Sequence, residues 1–380
     1  MNRYYFDYNA TTPVSPEVLS AFTTALADVC GNASSVHHFG QQAKRSLESA
    51  RRQVAAMLGA DAKEVVFLSG GTESDNLAVM GAVRAAAGER KHMITSAIEH
   101  PAVLGAASQL EREGVEVTRI GVDGAGVVDP DDVRRALQPH TVLISVMHAN
   151  NETGVLQPLA EIGRIAGEAG VAFHSDGVQA AGKIPVDVGA LGVDLYAISG
   201  HKFHAPKGTG ALFVRKGLTL APLQHGGHHE RDRRPGTENV PGAVALAAAA
   251  ENVIAMSPAL RDRLERSILD RIPGTGVNGG GADRTPNTSN IWFDGVEGEA
   301  MVIALDLQGF AISTGAACSS GAIEPSHVLT AMGLSASKAK SSLRFSLGRA
   351  NTSGQVDALV EAVVAAAARL RKLSPAYAHA

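Results

Sequence analysis

Short apolar runs alternate with amphipathic segments through the first part of the chain. Runs of five to seven residues that end at glycine or at small polar residues predict buried strands, at residues 64–68, 92–96, 141–147 and 193–198. Segments with apolar side chains at helical spacing, such as residues 159–169, lie between them. This alternation predicts an α/β fold, in which a mainly parallel sheet has helices on both faces and a ligand site at the carboxyl ends of its strands.

The pattern changes after residue 257. A helix of small residues is expected over residues 243–255, and the segments that follow mix strands and helices. Near the end, Arg344 and Ser346 alternate with apolar residues, which predicts a strand with one polar and one apolar face. We expect a large domain over residues 15–257, and a smaller α+β domain made of residues 1–14 and 258–380.

A lysine and an aspartate stand where two predicted strands end. Lys202 follows the strand that ends at Ile198, and Asp176 ends an apolar run that begins at Val171. A lysine held at a strand end can bind phosphate or act as a Schiff-base nucleophile. With an aspartate beside it, such a lysine suits pyridoxal phosphate (PLP), because the carboxylate keeps the pyridine nitrogen protonated. Singly, Lys202 could be a surface lysine and Asp176 a helix N-cap; together they indicate a PLP site.

A glycine pair joins the strand at residues 64–68 to a predicted helix. Gly70, Gly71 and Thr72 form a strand-to-helix turn, where backbone N–H groups and a helix N-terminus can hold a phosphate. An ordinary turn between a strand and a helix has the same pattern. The phosphate assignment therefore depends on the PLP that Lys202 and Asp176 indicate.

Other polar residues follow or lie within predicted strands. His100 precedes a proline, which holds it in extended geometry, and it is either structural or a group that stacks on a cofactor ring and moves protons. Residues 148–154 are nearly all hydrogen-bonding residues, and such a run at a strand's carboxyl end is typical of a ligand site. Arg344 is either a solvated surface arginine or a fork that binds a substrate carboxylate.

The two cysteines have different surroundings. Cys30 follows a predicted helix that Gly31 is expected to cap, and we expect a buried or half-buried structural thiol. Cys318 lies among alanine, serine and glycine residues, which predicts an accessible and mobile nucleophile. Two cysteines cannot form a disulfide framework in a chain of this length, and they suit a reducing compartment.

Composition narrows the class of protein. The 380 residues, of which 45% are hydrophobic and 41 are glycine, are typical of an α/β enzyme. The net charge of −4 argues against a nucleic acid ligand. We expect a cytoplasmic protein without a membrane span or a secretion signal. A metal site at His225, His228 and His229 is disfavoured, because the glycines between them predict a flexible loop.

These motifs together resemble the cysteine desulfurases, the NifS/IscS-like branch of the class V aminotransferase family, within the fold-type I PLP enzymes. The resemblance covers nearly the whole chain. Its motifs lie at residues 7–12, 71–76, 99–100, 150–154, 174–176, 199–202, 234–239, 313–320 and 343–346. The resemblance implies an enzyme that takes sulfur from L-cysteine, releases L-alanine and holds the sulfur as a persulfide on Cys318.

The resemblance also implies a role for each matching residue. Lys202 would carry PLP as a Schiff base, Asp176 would pair with the pyridinium nitrogen, and His100 would stack on the ring and assist proton transfer. Arg344, with Asn151, would bind the substrate, and Cys318 would attack its sulfur. The remaining contacts to PLP would come from Asn151 and Gln179 at the ring hydroxyl, from Gly71, Thr72, Ser199 and His201 at the phosphate, and from Thr237 of the second subunit of a homodimer.

Some alternatives stay open at this point. A selenocysteine lyase, or another class V enzyme such as an epimerase, would share most of these motifs. A protein of another class, a non-enzymatic sulfur relay or scaffold, would need Cys318 alone. The expected partners are L-cysteine, a second copy of the chain and a protein that accepts sulfur, for iron–sulfur cluster assembly or for the thiolation of tRNA, DNA or a cofactor. His228 and Pro235 replace small residues that are commoner in the family.

Overall fold

The computed structural model describes residues 3–314 and 324–373. Cys318 and its immediate neighbours lie outside the described residues, so the expectation of an accessible thiol there stays a prediction. Twelve strands lie within the described residues: β1 (Tyr4–Tyr5), β2 (Val65–Leu68), β3 (His92–Ser96), β4 (Glu116–Ile120), β5 (Thr141–Ser145), β6 (Ala172–Asp176), β7 (Leu195–Ser199), β8 (Gly210–Val214), β9 (Thr275–Val277), β10 (Thr288–Phe293), β11 (Phe310–Ala311) and β12 (Ser342–Ser346).

Helices connect and cover these strands. In the same part of the chain they are α1 (Pro16–Asp28), α2 (His38–Leu58), α3 (Gly71–Ala85), α4 (Pro101–Arg112), α5 (Pro130–Ala136), α6 (Leu159–Ala169), α7 (Val188–Leu191), α8 (Val240–Glu251), α9 (Ala259–Arg271), α10 (Gly298–Asp306), α11 (His327–Ala331), α12 (Ala336–Lys340) and α13 (Ser353–Leu373). No helix among these residues is both long enough and apolar enough to span a bilayer.

Seven strands form the main sheet, in the order β2-β8-β7-β6-β5-β3-β4. The strands from β7 to β4 run parallel, whereas β8 is antiparallel to both β7 and β2. Alternate residues along each strand enter separate apolar cores: Ile198 packs in one core with α2, α6 and α8, and Ala197 packs in the other with α3 and α4. The predicted α/β architecture, a mainly parallel sheet between helices, is therefore confirmed.

The smaller sheet has the order β12-β10-β9 and is antiparallel throughout. Its core combines α9, α10 and α13 with Phe6, which follows the first strand of the chain. The N-terminal segment therefore packs with C-terminal elements. It then continues into the space between the two sheets, where the backbone N–H of Asn9 donates to Ser346 Oγ at 3.0 Å.

Several local predictions were wrong. Helix α1 ends at Asp28 with Val29 as its C-cap, so Gly31 is not a cap; a Cβ there would lie 2.0 Å from the carbonyl oxygen of Phe39. Cys30 is exposed, because the helix ends before it, and is not the buried or half-buried thiol that we expected. Helix α8 covers Val240–Glu251 instead of residues 243–255.

The interpretation of Arg344 as a solvated residue was also wrong. All five residues of β12 are buried, and Arg344 is 5% exposed. The alternation of polar and apolar residues is present in this strand, but its polar face is buried in the protein, and Arg344 on that face lines a cavity.

Candidate active site

Residues from both sheets line a cavity of about 590 Å³ at the carboxyl ends of β5, β6 and β7. Ten of the residues predicted from the sequence line it: Gly71, Thr72, His100, Asn151, Asp176, Gln179, Ser199, His201, Lys202 and Arg344. Thr237 is not among the described residues that line it, and Cys318 lies outside the described residues.

Lys202 reaches the cavity from a single 3₁₀ turn that follows β7. The turn begins at Gly200, where a Cβ would lie 2.5 Å from Thr209 Oγ1, so only glycine fits this close approach. The Lys202 amine donates to the carbonyl oxygens of Asn9 at 2.6 Å and Ala10 at 3.0 Å. Burial, with a contribution from Arg344, lowers the pKa of Lys202 to about 8, so part of the amine is neutral and nucleophilic near neutral pH.

Asp176 ends β6 and is 6% exposed. Its Oδ1 accepts from the backbone N–H of Val178 at 2.9 Å. Burial raises the pKa of this carboxyl, while His100, the Val178 N–H and Lys202 act in the opposite direction. Burial makes an ionised carboxylate unfavourable unless a positive charge lies beside it. A protonated ring nitrogen at Asp176 would supply that charge.

A second carboxyl, Asp75, lies beside Asp176 and was not predicted. One side-chain oxygen of each aspartate and one ring nitrogen of His100 all lie within 4.8 Å of one another. Burial, together with Asp176 and Glu99, raises the pKa of Asp75 well above its usual range, which favours a protonated Asp75 next to an ionised Asp176. The sequence carried a signal: Asp75 follows Thr72 by three residues, which places both on one face of α3.

His100 is the N-cap of α4, and its Nδ1 accepts from the backbone N–H of Ala102 at 3.1 Å. This bond fixes the neutral ring with its proton on Nε2. Burial and the charge of Lys202 lower the pKa of His100, while Asp176 raises it. The neutral ring can therefore lie against an aromatic cofactor, with Nε2 as the atom that gives up or accepts a proton.

The turn before α3 forms one end of the cavity. Helix α3 begins at Gly71, where a Cβ would lie 2.7 Å from Val178 Cγ2. Thr72 and Ser199 add hydroxyl groups. Burial, Lys202 and Lys207 lower the pKa of His201 to about 4, so its neutral ring offers one N–H donor. A helix N-terminus with hydroxyl and imidazole donors is a suitable binding site for a phosphate group.

Arg344 lines the same cavity from β12 of the smaller sheet. Its Nη2 donates to Asp7 Oδ1 at 2.7 Å and its Nη1 to the Asn151 carbonyl oxygen at 2.9 Å. Its Nε is buried without a hydrogen-bond partner among the residues that the structure describes. Two bonds thus fix the plane of the guanidinium and use two of its five N–H donors, which leaves donors for a carboxylate in the cavity that Arg344 lines.

Asn9 joins the two ends of the site and had no predicted role. Its carbonyl oxygen accepts from both Lys202 Nζ and Gln179 Nε2. Its side-chain Nδ2 donates to Thr288 Oγ1 at 2.9 Å and to the Asn151 carbonyl oxygen at 3.2 Å. A single N-terminal residue therefore connects the lysine, the polar run after β5 and the smaller sheet.

The chain that follows the undescribed residues 315–323 is attached to the same site. Ser326 Oγ donates to Glu152 Oε2 at 2.7 Å, and His327 Nε2 lies 3.0 Å from the Glu99 carbonyl oxygen. Val328 packs in a small apolar cluster with Met147, which follows β5. The segment that begins at Ser326 therefore lies against the wall of the cavity.

Thr237 lies on a loop that two ion pairs join to helices α2 and α3. A buried bidentate pair joins Arg51 to Glu230, with both oxygens at 2.7 Å, and Arg234 Nε lies 3.1 Å from Glu73 Oε1. Glu230 adopts a φ of 45°, a left-handed conformation that is strained for glutamate and that the buried ion pair maintains. Thr237 itself is exposed.

The groups in this cavity fit PLP. The buried carboxylate of Asp176 has a single backbone donor and suits the ring nitrogen, and the amine of Lys202 suits the aldehyde. The N-terminus of α3 suits the phosphate. Contacts within the protein hold each of these groups in position.

Comparisons with known proteins agree with this arrangement. The sequence profile of the family described as Aminotransferase class-V matches residues 4–359. A cysteine desulfurase of Trichormus azollae is 49% identical, over 99% of this chain and 95% of its own. The solved structure of a NifS-like protein has a TM-score of 0.89 at 34% identity and covers 96% of this chain and 98% of its own.

A second solved structure shares the fold at similar identity. It is SspA in complex with cysteine, with a TM-score of 0.83 and 37% identity over 90% of this chain and 98% of its own. The fold is that of the fold-type I PLP enzymes. The chain is a member of the class-V aminotransferase family of PLP-dependent enzymes.

Proposed function

We propose that this protein is a cysteine desulfurase that removes sulfur from L-cysteine, releases L-alanine and carries the sulfur on Cys318. The observation that carries the proposal is one cavity that combines the amine of Lys202, the carboxylate of Asp176 and the guanidinium of Arg344. The relatives support the choice of substrate: the Trichormus azollae protein is a cysteine desulfurase, and SspA was solved in complex with cysteine.

The residues divide the work as follows. PLP, when bound, supplies an electron sink for the breaking of the C–S bond. Arg344, held by Asp7 and the Asn151 carbonyl oxygen, binds the carboxylate of L-cysteine with guanidinium N–H groups that these two bonds do not use. Lys202 and His100 move protons, because burial keeps part of the lysine amine and the histidine ring neutral.

The overall reaction balances with Cys318 as the acceptor. The C–S bond of L-cysteine breaks, its sulfur bonds to the thiolate of Cys318, and the carbon that loses sulfur takes a proton to give L-alanine. Two thiols become one persulfide and one C–H bond, so no external oxidant or reductant is needed. The persulfide then passes its outer sulfur to an acceptor thiol.

The working form that we propose is a cytoplasmic homodimer in which Thr237 contacts the phosphate of PLP in the partner subunit. Support comes from the exposed position of Thr237 on a loop that two ion pairs hold. The sulfur acceptor that we propose is a protein of iron–sulfur cluster assembly or of a thiolation pathway. The two cysteines of the chain suit a reducing compartment.

A spectrum of the purified protein with L-cysteine tests the proposal. We expect PLP absorbance that changes when L-cysteine is added, together with L-alanine and sulfide in equal amounts when a thiol reductant is present to release the outer sulfur of the persulfide as sulfide. Cys318→Ala should keep the PLP absorbance and lose sulfide release, and Cys30→Ala is the matched control that should change neither. A selenocysteine lyase would act on selenocysteine and leave L-cysteine unchanged. A protein that binds no PLP would be a sulfur relay.

A further inference from the structure

Lys183 is a buried lysine to which the proposed reaction gives no role. It is 6% exposed, and its Nζ donates to Gln179 Oε1 at 2.5 Å and to Asn9 Oδ1 at 2.7 Å. Both acceptors are neutral amide oxygens, and no carboxylate pairs with it among the described residues. The charged groups that face it, Lys202 and Arg344, are cations. Burying an amine in such surroundings is unfavourable for folding, which indicates another reason for its presence.

The bond from Lys183 determines which way the amide of Gln179 points. Gln179 Oε1 accepts from Lys183 Nζ, and Lys183 lines a separate cavity and is not among the described residues that line the PLP cavity. Gln179 Nε2 donates one hydrogen to the Asn9 carbonyl oxygen at 3.0 Å. An amide nitrogen has two hydrogens, so Gln179, which lines the PLP cavity, has a second N–H that this bond does not use.

The opposite orientation of this amide would place a donor against a donor and an acceptor against an acceptor. A flip would turn the NH₂ group of Gln179 toward Lys183 Nζ, which has only hydrogens to offer. It would also turn Oε1 toward the Asn9 carbonyl oxygen, which can only accept. Both hydrogen bonds would be lost in a buried place where water cannot replace them.

We propose that Lys183 is a positioning residue, which fixes the Gln179 amide so that its N–H, and not its carbonyl oxygen, meets the ring hydroxyl of PLP. The inference rests on the proposed function, because it needs PLP in this cavity. Asn9 completes the arrangement: its side chain accepts from Lys183, and its carbonyl oxygen accepts from both Gln179 and Lys202.

The orientation has a measurable consequence in the protonation of bound PLP. An N–H donated to the ring oxygen stabilises its ionised form, which makes a proton on bound PLP easier to lose. Without that donor the proton is held more tightly. The midpoint of the pH-dependent absorbance change of bound PLP should therefore rise when the amide is free to flip.

The test measures this midpoint at saturating PLP in wild type, Lys183→Met, Gln179→Met and the double variant. We expect each single variant to raise the midpoint by about one pH unit, a tenfold change in proton affinity. The double variant should have the same midpoint as Gln179→Met, because Lys183 acts through that amide. An unchanged midpoint in Lys183→Met overturns the inference. Shifts that add in the double variant also overturn it, since Lys183 would then act only through its charge.

Two further variants decide the case if Lys183→Met does not fold. Arginine at this position has only donors, so Lys183→Arg should keep the wild-type midpoint. Glutamine both donates and accepts, so Lys183→Gln should allow the flip and raise the midpoint. The reverse result contradicts the inference. A wild-type protein that shows no PLP absorbance at all would instead contradict the proposed function.

Discussion

At the scale of single residues, burial decides the protonation state of the groups in the cavity. It lowers the pKa of Lys202 to about 8 and that of His201 to about 4, and it raises the pKa of Glu99 to about 8. Each shift favours the neutral form. Neutral amines and imidazoles are the forms that attack carbonyl groups and accept protons, so the fold itself prepares this chemistry.

Glu99 gives a prediction about stability and pH. Its pKa rises to about 8 because of burial, although Ser96 Oγ and the Met147 N–H both donate to its Oε1. The folded protein therefore binds more protons than the unfolded chain between the usual pKa of 4.5 and about 8, and the free energy of unfolding falls as the pH rises through this window. Glu99→Gln, which stays neutral, should remove this decline of up to about 1.4 kcal/mol per pH unit.

Urea unfolding of the apoprotein at a series of pH values checks this. Glu161→Gln, on the exposed side of α6, is the matched control and should unfold with the pH dependence of the wild type. If Glu99→Gln also keeps that dependence, burial does not shift the Glu99 carboxyl as the structure indicates.

Single residues also show which parts of the site could be predicted from the sequence and which could not. Lys202 and Asp176 could be predicted to approach each other because both follow parallel strands that end at one edge of a sheet. Lys183 could not be placed in this way, because a charged residue in a turn usually points to solvent. For Arg344 the sequence left a substrate-binding and a solvated role open, because alternation shows that a strand has a polar face, but not whether that face meets water or a cavity.

At the scale of elements, the close contact of α3 with the end of β6 sets the phosphate end of the site. Gly71→Ala would place a Cβ 2.7 Å from Val178 Cγ2 and 3.5 Å from Ser199 Cβ. Since the branched Val178 cannot move away freely, α3 should shift and carry Thr72 with it. We expect the dissociation constant of PLP to rise about tenfold, with a loss of about 1–3 kcal/mol in unfolding free energy from overpacking.

Gly105→Ala is the matched control, because it lies within α4 and a Cβ there meets nothing within 4 Å. It should add about 0.5–1 kcal/mol of stability and leave PLP affinity unchanged. PLP titration by fluorescence and urea unfolding measure both quantities. Wild-type PLP affinity in Gly71→Ala would show that the close contact does not set the phosphate end.

The limits of a helix could be predicted where residues at its own ends determine them. Helix α6 has the predicted limits because Gly170, at φ 67°, provides the left-handed C-cap that ends it. Gly31 was taken for such a cap, but it is required by the approach of the Phe39 backbone, a tertiary contact with no local signal. The division into domains at residues 14, 15, 257 and 258 stays a prediction.

At the scale of the whole molecule, the proposed dimer makes each site depend on two chains. Mixed dimers of a Lys202→Ala chain and a Thr237→Ala chain contain one site with both residues intact, if Thr237 serves the partner. We expect such dimers to have about half the activity of wild type. The estimate assumes that the two sites act independently.

The control places both substitutions on one chain and pairs it with a wild-type chain. The intact Lys202 then meets an alanine from its partner, so this dimer should be clearly less active than the first. Differently tagged chains, purified together, allow both measurements. A control dimer that is more active than the first would show that Thr237 acts within its own chain, and equal activity of the two mixed dimers would show that Thr237 has no role.

The central claim is that sulfur from L-cysteine moves to Cys318 in a PLP-dependent reaction. Mass spectrometry of the PLP-bound protein after one turnover, without an acceptor thiol, tests it most directly. We expect one added sulfur atom on the peptide that contains Cys318, and one L-alanine released for each modified chain. L-alanine formed without sulfur on that peptide, or a protein that binds PLP but leaves L-cysteine intact, would contradict it.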